Sequence, residues 1–440
     1  MHPVSKTVST THDSAPAPAG TPRRGLVLVA VAIVLTGFNL RTAVNGVGPV
    51  LQEIERGLGI SSGAAGLITT MPLLCFALIG FAGPPLAARF RDGHVLAAAL
   101  LVMALGVIGR AAAPSFWLFL LGTVATMVGG ALGNVLLPGI VKHWFPHRTG
   151  LLVGAYSTTM AIGGAVASVS TAPIAAAVGT DGWRWALGVW AVFALLAVAP
   201  WLLVPRRSAG TGTPRSAVRL RVLVRSSLAW QMAVFFGLQA MQAYVIVGWT
   251  AQYLRDEGMS AAAAGVLVGV NALIVIPLNA LVPSGAVRQS WQRPMLVGFM
   301  ACYLVGWTGL LLAPLTLTWL WMSMLGIGMG TFAMVLSLIG LRARTPETVN
   351  ALSTVVQGWG YSIAAVGPLL VGLLRGLTGG YTGMFVLVYA GVAGLFVTGW
   401  LVCADRQVDD EVPGLRVGPP TGEPGVEAAG VESPVAVPRS

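Results

Sequence analysis

The sequence has little charge: 9% of its 440 residues are Asp, Glu, Lys or Arg, against roughly 25% in an average soluble domain. So few ionised groups cannot cover a water-facing surface, which excludes an ordinary soluble enzyme. Lysine occurs only at Lys6 and Lys142, so the formal net charge of +11 is almost wholly arginine. The basic residues sit between apolar segments and on one side, which excludes a nucleic-acid surface. Only three cysteines occur, Cys75, Cys302 and Cys403, all in or beside apolar runs, without metal spacing or the even count of a disulfide framework. No Asp, Glu or His falls well inside a long apolar run, since His2, His12, His94, His143 and His147 lie in the tail or in loops. That absence argues against an intramembrane proton relay, metalloprotease or aspartyl protease, and leaves Glu53 and Glu55 as the nearest titratable candidates. There is no Gly-rich loop ending in Gly-Lys-Ser/Thr, so the chain carries no nucleotide cassette of its own.

What is present is apolar length. Hydrophobic residues make up 55% of the chain, and stretches long enough to cross a bilayer recur at 26–48, 63–88, 95–113, 116–141, 150–178 and 185–204. Six more follow at 228–253, 260–282, 294–313, 318–341, 350–374 and 382–403. Lipid offers no partner for backbone N–H and C=O groups, so spans of this length are helical. The reading is an all-α integral membrane protein with twelve transmembrane helices. Residues 1–24 form a disordered polar tail, 25–204 a first six-helix bundle, 205–227 a basic linker, 228–403 a second bundle and 404–440 a second disordered tail.

Loops after even-numbered spans hold Arg89, Arg91, Lys142, Arg148, Arg206, Arg207, Arg215, Arg219, Arg221, Arg225, Arg288, Arg293, Arg342 and Arg344, whereas the opposite loops hold Arg56, Arg184 and Arg255. The positive-inside rule therefore puts both termini and the linker in the cytoplasm, in a multi-pass cytoplasmic-membrane protein. A shift of 200 residues pairs Pro114 with Pro314, Pro146 with Pro346, and Gly48, Gly106, Gly109, Gly130 and Gly179 with Gly248, Gly306, Gly309, Gly330 and Gly379. An even number of spans per half makes the two repeats parallel, a transporter-like duplication.

Polar side chains inside the spans are few enough to name. Arg41 lies about 22 Å along the first span at 1.5 Å rise per residue, and Asn45 shares its face one turn later. Two readings stand: a bidentate site for a small anion facing a cavity, or a side chain that snorkels to the interface and bonds carbonyls. The amides Asn39, Asn45, Asn134, Gln239, Gln242, Asn271, Asn279 and Gln357 fall in spans 1, 4, 7, 8 and 11, and none falls in spans 3, 6, 9 or 12. This split turns spans 3, 6, 9 and 12 outward and lets the others line a polar path, with Gln239, Asn271 and Tyr361 near the midplane. For any one amide, interhelical bonding and ligand contact stand equal. Glycines such as Gly129, Gly130, Gly133, Gly150, Gly154, Gly163, Gly164, Gly326, Gly328 and Gly330 suit close helix crossing. Pro72, Pro138, Pro277 and Pro368 interrupt spans, and Trp183, Trp185, Trp249 and Trp319 fit interfacial anchoring.

Together these residues resemble the major facilitator superfamily, and in detail its cyanate and 2-nitroimidazole porter branch. The resemblance runs from about 26 to 403. It rests on Asn39-Leu40-Arg41 with Gly48-Pro49, on Gly133-Asn134-Val135-Leu136-Leu137-Pro138 with Lys142 and Phe145-Pro146, and on Gly154 with Tyr156. The second half adds Gln239, Leu341-Arg342-Ala343-Arg344-Thr345-Pro346, Gln357-Gly358, Gly360-Tyr361 and Gly367-Pro368. The resemblance implies alternating access around a central cavity, with small anions such as cyanate or small nitro-heterocycles as substrates. Arg41 falls on the family's first-span arginine, although Thr42 stands where the family usually has proline. The loop motif between spans 2 and 3 survives as Arg89, Arg91, Asp92 and Gly93.

The expectation is thus a secondary transporter, not an enzyme, without cofactor or metal, working as a monomer in the lipid bilayer on a small-molecule substrate that can be anionic. Its substrate-binding candidates are Arg41, Asn45, Asn39, Gln239, Gln242, Asn271, Gln357 and Tyr361. Its structural or gating candidates are Asn134, Pro138, Tyr156, Arg89 and Asp92. A multidrug or metabolite exporter of the same fold is the alternative, and a non-transporting membrane sensor a remote one.

Overall fold

The computed structural model describes residues 23–89, 93–204 and 220–412. The expected first tail up to residue 22, the linker from 205 to 219 and the second tail from 413 onward lie outside the described residues. Twelve helices among the described residues are long and apolar enough to cross a membrane: α1 (Gly25–Leu58), α2 (Ser62–Ala82), α3 (Gly93–Ala112), α4 (Phe116–Trp144), α5 (Thr149–Val178), α6 (Gly182–Leu203), α7 (Ser227–Asp256), α8 (Ala261–Ala286), α9 (Gln289–Leu312), α10 (Thr318–Leu341), α11 (Glu347–Thr378) and α12 (Thr382–Val402). They reproduce the twelve apolar stretches of the sequence, and no strand occurs among the described residues. Pro72, Pro138, Pro277 and Pro368 do not break their helices, because neighbouring helices supply the packing that a soluble helix would lack. The interruption in the first span comes elsewhere. Regular helix ends at Asn45, a 3₁₀ turn covers Gly48–Val50, and helix resumes at Leu51; Pro49 has no N–H to continue the ladder.

Packing repeats between the halves. In the first half α1 packs on α5, α2 on α4 and α3 on both α4 and α6; in the second, α7 packs on α11, α8 on α10 and α9 on both α10 and α12. Across the interface α2 packs on α11 and α5 on α8, the same contact exchanged by a two-fold axis along the helix direction, as a parallel duplication requires. The lipid-facing sides of α3, α6, α9 and α12 carry exposed Leu105, Leu196, Val305 and Val397, the solution open to a helix whose surroundings are hydrocarbon.

Close approach of the halves depends on bare backbone at a few positions. A Cβ on Gly48 would sit 2.3 Å from the Val247 carbonyl oxygen, and one on Gly265 would sit 2.4 Å from that of Ser168. By contrast a Cβ on Gly130, Gly150 or Gly154 would meet nothing within 4 Å, so close crossing does not require glycine there, and Gly150 and Gly154 are exposed. Trp183 and Trp249 are also corrected. Both are fully buried, packed in the helix bundle rather than anchored at an interface, while Trp185 and Trp319 are exposed as expected.

Part of the segment expected as second tail falls within the described residues. Residues 404–412 are ordered, with a short helical turn α13 (Val408–Glu411). Glu411 accepts from the Leu228 N–H at 3.0 Å and the Ser226 hydroxyl at 2.8 Å, Asp409 accepts from the Arg344 N–H at 2.9 Å, and Arg344 pairs with Asp410 at 2.8 Å. The acids of this segment meet the unsatisfied N–H groups that open α7 and the arginines that follow α10. Composition read the segment as polar tail because those partners are distant in sequence.

Candidate functional site

The two ends of the bundle differ. The end carrying the α1–α2, α7–α8 and α11–α12 connections is held by a polar latch between the halves. Arg255 of α7 grips Glu53 with two N–H···O bonds of 2.8 and 2.6 Å and donates a third, of 2.8 Å, to the Pro49 carbonyl. Arg375 of α11 bonds Ser62 at 2.7 Å and Asp256 at 2.9 Å, and lies 3.5 Å from Glu55. Gln252 donates to Glu55 at 2.9 Å, Gln52 to Asp256 at 2.5 Å and Tyr381 to Asp256 at 2.6 Å. Close to it, residues of both halves line a cavity of about 20 Å³, room for one water molecule. Its walls include Val47, Thr69, Pro72, Met127, Tyr244 and Val247.

Below this seal, at mid-depth, Arg41 is half-buried and has no hydrogen-bond or ion-pair partner among the described residues. Tyr244 on α7 and Tyr361 on α11 lie within electrostatic reach of its charge, which puts Arg41 on the side of α1 turned toward the second half. Gly164 of α5 makes room for it: a Cβ there would lie 3.3 Å from the Arg41 Cβ and 2.8 Å from the Asn45 amide nitrogen. Asn45 is buried with its side-chain oxygen unpartnered, and so is Gln239 on α7. Tyr361 packs edge-on against Phe236, with ring centroids 4.9 Å apart, and lies 5.4 Å from Phe76 of α2. The arrangement is a cation and aromatic faces with unsatisfied amide oxygens nearby, contributed by both halves.

Three expected binding residues go elsewhere. Asn39 donates to the Leu35 and Phe193 carbonyls at 2.8 and 3.0 Å, tying α1 to α6. Gln242 donates to the Val388 carbonyl at 2.7 Å and accepts from the Trp307 indole at 2.9 Å, tying α7 to α12 and α9. Asn271 donates to the Met322 carbonyl at 3.1 Å, tying α8 to α10. An amide in apolar surroundings takes whichever carbonyl a neighbouring helix presents, because leaving it unpaired costs more. Gln357 is half-buried and bonds Ser353 on its own helix at 2.7 Å, one turn before Tyr361.

Of the gating candidates, Asn134 is half-buried, Pro138 exposed, and Tyr156 buried where its carbonyl approaches Gly37. The Arg89 side chain and all of Asp92 lie outside the described residues. Sequence reasoning missed Tyr244, Phe76 and Phe236, which are indistinguishable from core residues by pattern. It also missed Arg110 and Arg375, which a count of every charge within a turn of a span end would have found.

Comparison with known proteins agrees with this architecture. The profile of the Major Facilitator Superfamily matches residues 29–365. The chain is 36% identical over 385 residues to the 2-nitroimidazole transporter of Escherichia coli (strain K12), covering 87% of this chain and 96% of that one. It is 35% identical over 379 residues to the uncharacterized transporter YycB of Bacillus subtilis (strain 168), covering 86% and 93%. The cyanate transport protein CynX of Escherichia coli (strain K12) is 28% identical over 352 residues, covering 80% and 91%. Among solved structures, the nucleoside transporter NupG superposes with a TM-score of 0.66 at 11% identity over 86% of this chain and 98% of that one. The D-xylose-proton symporter does so with 0.67 at 16% identity over 89% and 99%, which establishes likeness of fold. With the family profile spanning most of the chain and relatives matched along nearly their whole length, this twelve-helix protein belongs to the major facilitator superfamily of membrane transporters.

Proposed function

We propose that the chain moves a small planar solute, a cyanate-like anion or a nitro-heterocycle, by alternating access around Arg41. The observation that carries this reading is the unpaired Arg41 guanidinium between the halves, beside Tyr244 and Tyr361. A cation among apolar helices without a counter-ion is costly, and an incoming anion offsets that cost with charge-assisted, bidentate hydrogen bonds. The faces of Tyr361 and Phe76 suit a flat solute. Relatives whose names carry 2-nitroimidazole and cyanate support the same class. The basic end is the cytoplasmic one by the positive-inside rule, so a latch closed at the opposite end describes a state that faces inward. The transporter acts as a monomer in the cytoplasmic membrane, both termini inside, with the basic segment 205–227 linking the halves. Asn45, Gln239, Gln357 and Tyr361 shape the cavity around Arg41.

Uptake of labelled cyanate and labelled 2-nitroimidazole into proteoliposomes, wild type against Arg41→Ala, tests the reading. Saturable cyanate uptake that disappears in the variant supports the anion site. Equal cyanate uptake by both proteins overturns it. Competition among chemically unlike drugs, insensitive to Arg41, would instead favour the multidrug exporter.

A further inference from the structure

The break in α1 leaves a backbone carbonyl without its helical partner. In a continuous helix the Ala43 carbonyl would accept from the Val47 N–H, but here Val47 donates to Val44 at 3.4 Å, and Gly46 donates to Thr42 at 3.1 Å. The Ala43 oxygen is taken up from another helix: Nη1 of Arg110, on α3, donates to it at 3.0 Å. Arg110 is completely buried, and its Nε and Nη2 have no partner among the described residues. A full positive charge has therefore been placed in the bundle interior for one hydrogen bond, at a site where an apolar residue of similar size would fill the space at lower cost. Bare backbone on α4 admits it, since a Cβ on Gly122 would lie 2.6 Å from the Arg110 nitrogen and 3.0 Å from its Cβ.

A cation at this point suits the electrostatics. Regular helix stops at Asn45, so the carbonyls of the preceding turn present the negative end of the helix dipole inside the bundle. Arg41 and Asn45 belong to that same last turn. Ala43 lies between them, and whatever holds its carbonyl also sets the rotation of the turn that aims Arg41 across the interface. We propose that Arg110 is a positioning residue of the transport site, acting through the Ala43 carbonyl to hold the last turn of the broken first span so that Arg41 faces the second half. The proposal rests on the reading of Arg41 as the anion-binding group, and its test is chosen to work without any substrate.

Cys75, Cys302 and Cys403 are replaced by Ala and Arg41 by Cys, leaving one thiol at the site. The rate at which a small anionic methanethiosulfonate modifies the thiol introduced at position 41 in detergent then reports how that position is presented to the cavity. Introducing Arg110→Met, which fills the space without a donor, is expected to slow the reaction at least fivefold. Arg110→Lys, which can still donate to the carbonyl, is expected to keep it within twofold. An unchanged rate in an Arg110→Met protein that still elutes as a single folded species overturns the proposal. Should that variant aggregate, Arg110→Leu, likewise without a donor, takes its place with the same fivefold expectation and the same overturning result. With Arg41 intact, Arg110→Met should raise the cyanate KM about tenfold while Vmax stays within twofold, and Arg110→Lys should restore it; a loss confined to Vmax contradicts a positioning role. Failure of cyanate to bind the wild type would sink the anion-site reading and leave the labelling result to decide the role of Arg110.

Discussion

The latch end and the middle of the interface contain the same kinds of side chain in opposite circumstances. At the latch Arg255 meets a carboxylate of the opposite half, Arg375 meets one from each half, and the halves are in contact. At mid-depth Arg41 has none, and the amide oxygens of Asn45 and Gln239 are unpartnered as well. Paired charges stabilise the conformation that brings them together; an unpaired charge stabilises nothing until something binds to it. In the proposed reading, the difference separates the part of the interface that closes from the part that receives a solute.

The strongest challenge to this contrast comes from anion recognition. Arg41→Gln should weaken cyanate binding by at least tenfold, about 1.4 kcal/mol or more, read by isothermal titration on purified protein; an unchanged affinity would place the anion elsewhere. Next come the amides reassigned to packing. Gln242→Leu strands the Trp307 indole N–H and the Val388 carbonyl, and should destabilise the second half by about 1–3 kcal/mol, seen as a lower melting temperature with the KM for solute unchanged. A KM rise at constant stability would return Gln242 to the cavity.

A smaller change is expected at the latch itself. Arg255→Ala removes three hydrogen bonds between the halves and should expose the seam beneath. Labelling of Thr69→Cys by a thiol reagent is expected to quicken severalfold, and the charge exchange Glu53→Arg with Arg255→Glu should slow it again. Labelling indifferent to both changes would mean that the latch does not govern access.

The slightest effect concerns the ordered 404–412 segment. Burial raises the affinity of Glu411 for a proton, but the Leu228 N–H, the Ser226 hydroxyl and the Arg406 charge outweigh it and hold the carboxyl below its ordinary value. A carboxylate with a depressed folded-state pKa contributes stability that is present above its unfolded pKa and is lost as pH falls through the folded one. Hydrogen exchange of the first turn of α7 should therefore be slow at neutral pH and quicken only on strong acidification, and Glu411→Gln should quicken it already at neutral pH.

The twelve spans and the duplication were legible because lipid imposes one rule on every helix, and Arg41 stood out because charge inside an apolar run is rare. The fate of each amide was not. Asn39 and Asn45 stand six residues apart on one helix and both leave the amide oxygen unpartnered, yet the first donates to a carbonyl of α6 and the second does not. That distinction depends on which helix lies opposite, and no periodicity in a single chain states it. Glu53 and Glu55 were noticed as titratable groups, but their partners Arg255 and Arg375 lie some two and three hundred residues away in sequence and were visible only once α1, α7 and α11 were packed. Ordering of 404–412 depended on the same kind of distant partner.

If Arg41 is left unpaired for a solute while Arg255 is paired to close the protein, removing the two charges must have opposite consequences, and thermal unfolding of Arg41→Met and Arg255→Met side by side, with and without cyanate, decides the matter. Without solute, Arg255→Met should melt several degrees below the wild type, and Arg41→Met should melt at or above it, since a half-buried cation without a partner has been removed. Added cyanate should then stabilise the wild type and Arg255→Met but leave Arg41→Met unmoved. A fall in Arg41→Met as large as that in Arg255→Met, or equal stabilisation of all three proteins by cyanate, would refute the division of labour between the two arginines.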